Sequence, residues 1–104
     1  MDRPVSSPGV KSAAAEKEKV AFPPLYRVLM HNDDYTTMEF VVTALETVFH
    51  KTPPEANRIM LHIHIKGVGD CGTYPHEIAE TKVARVHVMA RKEGFPLKCS
   101  LEKA

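Results

Sequence analysis

Leu25-Tyr26-Arg27-Val28-Leu29-Met30-His31, then Asn32-Asp33-Asp34, then Tyr35-Thr36-Thr37-Met38-Glu39: this stretch decides how the chain folds. The first segment is apolar on both alternating faces, apart from Arg27 and the closing His31. That pattern predicts a strand, and a central one rather than an edge, because both of its faces carry residues suited to burial. Asn32-Asp33-Asp34 then predicts a turn. Thr36 followed three residues later by Glu39 is a capping-box pattern. Met38, Val41, Val42, Leu45, Val48 and Phe49 recur at helical spacing, which predicts one apolar helix face over about Thr37 to His50. Glu39 also suits the positive end of that helix.

The same grammar extends outward. Thr52-Pro53-Pro54-Glu55 repeats the start signal, with a Thr cap, prolines in the first turn and Glu at the third position. Ala56, Ile59, Met60 and Ile63 supply the buried stripe, and Gly67 is the stop. Val68 to Tyr74 reads as a short strand weakened by Gly69 and Gly72. Pro75 opens a third helix over about His76 to Lys92, with Ile78, Ala79, Val83, Val86 and Ala90 facing inward and Gly94 ending it. Leu97, Cys99 and Leu101 then alternate with Lys98, Ser100 and Glu102, a half-exposed strand. The order β-α-α-β-α-β predicts an α+β fold: a small two-layer sandwich, a three-stranded sheet with three helices packed on one side.

Residues 1–23 read differently. Pro4, Ser6, Ser7, Pro8, Gly9 and Ser12, with the mixed charges of Glu16-Lys17-Glu18-Lys19, offer too little apolar surface to offset ordering entropy. A disordered N-terminal extension over 1–23 and a folded domain over 24–104 are expected. The whole chain of 104 residues is 43% hydrophobic and 26% charged, which fits one small globular domain. Lys and Arg number 14 against 13 Asp and Glu, a net charge of +1, without the basic excess of a nucleic-acid protein. The two cysteines, Cys71 and Cys99, form neither a disulfide framework nor a paired zinc motif. No apolar run approaches the ~20 residues of a membrane span, and the N-terminus lacks a signal-peptide core. A reduced, cytoplasmic protein with no nucleic-acid or membrane partner is expected.

Three features could carry chemistry. Asn32-Asp33-Asp34 is either a capped, solvated turn or a cation site whose carboxylates and amide carbonyl accept from an ammonium group. Magnesium or calcium would also take oxygens, but the calcium-loop spacing is absent. His62 and His64, two apart, do not share a helix face and make a poor zinc pair. His64 borders the face of Met60; it is either half-buried with a backbone partner or part of a site. His31, His50, His76 and His87 lack ligand spacing and read as surface residues. Met30, Met38 and Met60 fill core gaps or line an adaptable pocket, and Met38 directly follows the acidic turn. No nucleophile signature or phosphate loop is present. The readings left open are a binding module, a metal-binding or pH-sensing regulator using Asp33, Asp34 and His64, and a small hydrolase lacking a visible nucleophile.

Taken together, several stretches narrow the choice. Pro24 to Leu29 leads into Asn32-Asp33-Asp34-Tyr35-Thr36 and Met38-Glu39-Phe40-Val41. Met60-Leu61-His62-Ile63-His64, Cys71-Gly72, Glu77-Ile78-Ala79-Glu80-Thr81-Lys82-Val83 and Pro96 to Ala104 follow in order. This set resembles the ClpS family of ATP-dependent Clp protease adaptors, over about Pro23 to Ala104. The resemblance implies a non-enzymatic, monomeric adaptor without cofactor. Such an adaptor binds proteins with a bulky hydrophobic N-terminal residue (Leu, Phe, Tyr or Trp, an N-degron) and delivers them to the ClpA unfoldase of the ClpAP protease. It implies that Asn32 and Asp34 contact the α-amino group, with Asp33 in the acidic rim and His64 completing the site. Thr36, Met38, Val41, Met60, Ile63 and Leu97 would wall the hydrophobic pocket, with Met38 as a gate against β-branched residues. Glu77 and Lys82 would face the unfoldase, which the N-terminal extension would also engage. Two positions depart from the family: Thr37 stands where Pro is usual, losing a rigid first turn while Thr36 keeps the cap, and Pro75 stands where Thr is usual.

Overall fold

The computed structural model describes residues 22–104. The expected extension over 1–23 lies, but for Phe22 and Pro23, outside the described residues. Strand β1 (Leu25–His31) is followed by helices α1 (Met38–Thr47) and α2 (Pro53–Lys66), strand β2 (Val68–Pro75), helix α3 (His76–Lys92) and strand β3 (Lys98–Lys103). The strands form one antiparallel sheet in the order β2-β1-β3, so β1 is central as its sequence predicts.

Val28 and Met30 point into the helical layer and are fully buried. They meet Ala44, Leu45 and Val48 of the α1 region, Met60 and Ile63 of α2, and Ala79, Val86 and Ala90 of α3 in one core. The opposite face explains the charge in a central strand: Arg27 lies 3.8 Å from Asp70 on β2 and 3.7 Å from Glu102 on β3, spanning both neighbours. Ile78, read from sequence as inward-facing, is 48% exposed. The α3 backbone turns it outward, leaving Ala79 to fill the contact.

The helix starts diverge from expectation in one place. Thr52 and Glu55 close a full capping box at α2. At α1 the cap is Thr37, whose Oγ1 accepts from the Phe40 N–H at 3.1 Å; the expected Thr36–Glu39 box does not form. Thr36 is occupied elsewhere, as described below. Thr37 has φ −73°, a value proline also adopts. Thr37 therefore follows a path that proline would also take and supplies the cap itself, where Thr36 was expected to. α1 also stops earlier than its periodicity suggests, closing through His50 at φ 56° with the Lys51 N–H donating to the Leu45 carbonyl.

Two glycines fix where α2 sits. Gly67 ends it in the left-handed region at φ 90°. At Gly69 on β2 a Cβ would stand 2.5 Å from Ile63 Cγ1, so only glycine lets α2 approach this closely. Cys71 is the extra residue where the β1–β2 register shifts between Val28 and Leu29.

Candidate functional site

The acidic turn is built by one of its own carboxylates. Asp33 Oδ1 accepts from the N–H groups of Tyr35 at 2.8 Å and Thr36 at 2.7 Å, while Oδ2 accepts from the Thr36 hydroxyl at 2.7 Å. Asp side chains favour such local closure. Partial burial pushes the Asp33 carboxyl up, but these bonds and the Arg91 charge outweigh it and hold the carboxyl below its ordinary value. Thr36 thereby spends both its N–H and its hydroxyl, which is why the cap of α1 falls one residue later. The turn is tied to the far helix as well: the Asn32 N–H donates to the Gly67 carbonyl at 2.9 Å.

This arrangement brings the acidic turn beside the last turn of α2. A cavity of about 200 Å³ lies between them, lined by Asn32, Asp33, Asp34, Thr36, Met38, Val41, Met60, Ile63 and His64. Asn32, Asp34 and His64 are exposed, Val41, Met60 and Ile63 are buried, and Met38 is 45% exposed at the mouth. Among the described residues, no protein group hydrogen-bonds the Asn32 amide, the Asp34 carboxylate or the His64 ring. Unpaired acceptors beside apolar walls suit a ligand that joins a donor group to an apolar side chain.

One residue expected in the walls is not there. Leu97 is 1% exposed and sits in the core, outside this lining. Arg91 Nη1 donates to the carbonyls of Phe95 at 2.8 Å and Leu97 at 2.9 Å, fixing the loop so that Leu97 turns inward. Glu77 is exposed near the start of α3, away from the cavity. Lys82 is half-buried; its Nζ donates to the Val48 carbonyl at 2.8 Å and lies over the Phe49 and Tyr74 rings at 5.9 and 5.1 Å. His31 and His87 are not plain surface residues. His31 Nε2 meets Ser100 Oγ at 2.7 Å, and His87 Nε2 accepts from the Cys99 N–H at 3.0 Å.

Nothing in this site resembles a nucleophile with its base. Both cysteines are buried, and burial pushes the Cys71 thiol far up and Cys99 up to about 12, which keeps them unreactive. No group of three or more His, Cys, Asp or Glu among the described residues could hold a metal ion. No helix of the described residues is long and apolar enough to cross a membrane. A larger depression, about 600 Å³, opens between α1 and the end of α3, but its lining mixes Glu39, Lys92 and Glu93 with Phe40, Met89 and Phe95.

Fold and site thus define a small α+β binding module. Comparison with known proteins narrows the class. The family model for "ATP-dependent Clp protease adaptor protein ClpS" matches residues 21–100. The chain is 62% identical over 87 residues to the ClpS adapter of Nitratidesulfovibrio vulgaris strain Miyazaki F, covering 84% of this chain and 87% of that one. It is 54% identical over 101 residues to the ClpS adapter of Desulforapulum autotrophicum, covering 95% and 97%. The structure of Agrobacterium tumefaciens ClpS2 bound to L-phenylalaninamide superposes with a TM-score of 0.77 at 35% identity, covering 80% of this chain and 100% of that one. The chain belongs to the ClpS family of ATP-dependent Clp protease adaptors, and it is an adaptor rather than an enzyme.

Proposed function

We propose that this adaptor binds the free N-terminus of proteins beginning with Leu, Phe, Tyr or Trp and hands them, in the cytoplasm and as a monomer, to the ClpA unfoldase of ClpAP. The observation that carries the reading is one cavity in which Asn32, Asp34 and His64, without hydrogen-bond partners for their side chains among the described residues, stand beside Met38, Val41, Met60 and Ile63. An N-terminal residue is an ammonium group next to one side chain. Its ammonium donates to the Asn32 carbonyl and the Asp34 carboxylate, with His64 closing the set. Charge-assisted bonds of this kind contribute about 1.5–3 kcal/mol each. Burying a Leu or Phe side chain against the apolar walls contributes about 1.5–3 kcal/mol more. Phenylalaninamide, the ligand in the A. tumefaciens protein, has the same chemistry: a free α-amino group, an aromatic side chain and no carboxylate.

Asp33 serves this site by holding the turn, since its oxygens already have three donors. Met38, half exposed at the mouth, acts as the gate: a side chain branched at Cβ is widest where Met38 crowds the entrance. Delivery uses Glu77 and Lys82 on α3, together with the extension over 1–23. Because the Lys82 ammonium also anchors α3 to the end of α1, Glu77→Lys is the cleaner test of docking. It keeps peptide binding and loses unfoldase binding.

The deciding experiment titrates a peptide beginning with Leu, free and N-acetylated, with and without a chelator. The free form binds in the micromolar range or tighter, the acetylated form does not, and the chelator changes nothing. Equal binding of the two forms would overturn the proposal.

A further inference from the structure

The acidic turn and the first turn of α1 share one support behind the cavity, the segment 95–97. The β1–β3 ladder ends at the pair His31–Lys98, so Asn32 and Leu97 leave the sheet from the same last rung. Asn32 is the first residue of the acidic turn. Two residues before Leu97, the Phe95 ring meets the Phe40 ring edge-on, with centroids 5.3 Å apart. Phe40 stands in the first turn of α1, between Met38 and Val41 of the cavity. One short segment therefore abuts both the turn that presents Asn32 and Asp34 and the helix start that presents Met38 and Val41.

Arg91 holds this segment. It lies in the last turn of α3, from which a long basic side chain reaches carbonyls at and beyond the helix end. Its Nη1 donates to the Phe95 carbonyl at 2.8 Å and to the Leu97 carbonyl at 2.9 Å, gripping the segment at both ends. Pro96 between them has no N–H with which to anchor itself. On the helix side, Gly94 turns the chain at φ 80° and the Phe95 N–H donates to the Ala90 carbonyl at 2.9 Å. Beyond Leu97 the sheet takes over at Lys98. Arg91 thus sets the path of residues 95–97 between helix and sheet. Its guanidinium faces the acidic turn as well, since the Asp33 carboxylate feels its charge. Among the described residues no ion pair joins the two, so the mechanical link runs through the segment.

We propose that Arg91 is a positioning residue for the N-terminus site: by gripping Phe95 and Leu97 it keeps the Asn32–Asp34 turn and the first turn of α1 at the separation that an ammonium beside an apolar side chain requires. The proposal rests on the reading of the cavity as a receptor for a free N-terminus. Arg91 does not line that cavity; it acts through two backbone carbonyls. The two N–H bonds of one guanidinium nitrogen diverge in a fixed plane, one toward each carbonyl. A lysine ammonium keeps the charge and the donors but not the plane. A site of this kind works only when its groups are held to within about 0.5 Å.

The test titrates a Leu-initiated peptide, free and N-acetylated, against the full chain and its Arg91→Ala, Arg91→Lys and Thr52→Ala variants, at a temperature where all are folded. Amide spectra of each protein are recorded without peptide. Arg91→Ala leaves a good helix former in place and weakens the free peptide about five- to tenfold, the worth of about one hydrogen bond. The amide peaks of Asn32, Asp34 and Phe40 move with it. Arg91→Lys restores part of both. Thr52→Ala is the stability control: it loses the α2 cap, yet its affinity and those peaks stay at their wild-type values. If free and acetylated peptides bind the wild type equally, the cavity reading fails and takes this proposal with it. If that contrast holds but Arg91→Ala binds as tightly as the wild type, or Thr52→Ala loses as much affinity as Arg91→Ala, the positioning role alone is overturned.

Discussion

Helices α1 and α2 carry the same start signal, a threonine with a glutamate three residues on, and are built differently. At α2 the signal closes in full: the Glu55 N–H donates to Thr52 Oγ1 at 3.3 Å, and the Thr52 N–H to Glu55 Oε1 at 3.0 Å. At α1 the cap slips to Thr37, because Asp33 claims the hydroxyl of Thr36. The far ends differ too. α2 stops at Gly67, where φ 90° costs a glycine nothing, whereas α1 closes through His50 at φ 56°. Local rules hold at the start of α2, which lies at the far end of that helix from its cavity residues Met60, Ile63 and His64. They yield at α1, whose N-terminal approach forms the rim of the cavity. Such departures are expected where a site is built.

The largest effect that would break this comparison separates two adjacent carboxylates. Asp34 has no protein partner among the described residues, so Asp34→Ala is expected to weaken binding of a Leu-initiated peptide by about 10- to 100-fold, the loss of one charge-assisted bond. Thermal stability should stay unchanged. Asp33→Ala removes the acceptor of three bonds and is expected to cost about 2 kcal/mol of stability by chemical denaturation, with binding reduced as the turn opens. The pH dependence has a definite sign. The folded-state value of Asp33 is lowered, so its contribution is complete above the ordinary Asp range and is lost as pH falls through the lowered value. Asp33→Ala should therefore show a flatter stability profile in acid than the wild type. A destabilised Asp34→Ala with a silent Asp33→Ala would reverse the assignment of roles.

A smaller effect sharpens the other half. Thr52→Ala breaks the capping box of α2 and is expected to cost about 1 kcal/mol, read from denaturant midpoints. Peptide affinity should not change, because Thr52 lies at the end of α2 far from His64. A drop in affinity equal to that of Asp34→Ala would show that the start of α2 also bears on the cavity.

The contrast also marks how much was legible in the sequence. Strand β1, the starts of α2 and α3, the Gly67 stop and the element order are local signals, and each was readable because nothing distant competes with it. Asn32, Asp34, His64, Met38 and Met60 could be singled out by residue type and by resemblance. That they line one cavity depends on the Asn32–Gly67 hydrogen bond and the close seat at Gly69, which no local pattern reports. Leu97 shows the limit. Its alternation with Cys99 marks it as buried, but only the Arg91 clamp decides that it joins the core rather than the cavity wall. The roles of His31 and His87 were illegible for the same reason: each bonds to β3, and His31 lies 69 positions from its partner Ser100.

The smallest prediction tests whether the α1 end is strained. A residue with a Cβ pays about 1–2 kcal/mol in the left-handed region, and glycine does not. Replacing His50 by Gly removes that cost but gives the unfolded chain more freedom, which returns part of the gain. His50 is exposed, so no packing is lost with its ring. His50→Gly is therefore expected to raise the melting temperature by about 2–4 °C. His50→Ala, which keeps a Cβ, should bring no such gain. Gly67→Ala is the mirror experiment on α2: the backbone there has φ 90° with nothing within 4 Å of the new Cβ, so any loss of stability is conformational and not steric crowding. If His50→Gly lowers stability while Gly67→Ala leaves it unchanged, the two helix ends do not differ in the way their backbone angles indicate, and the contrast between α1 and α2 reduces to the caps alone.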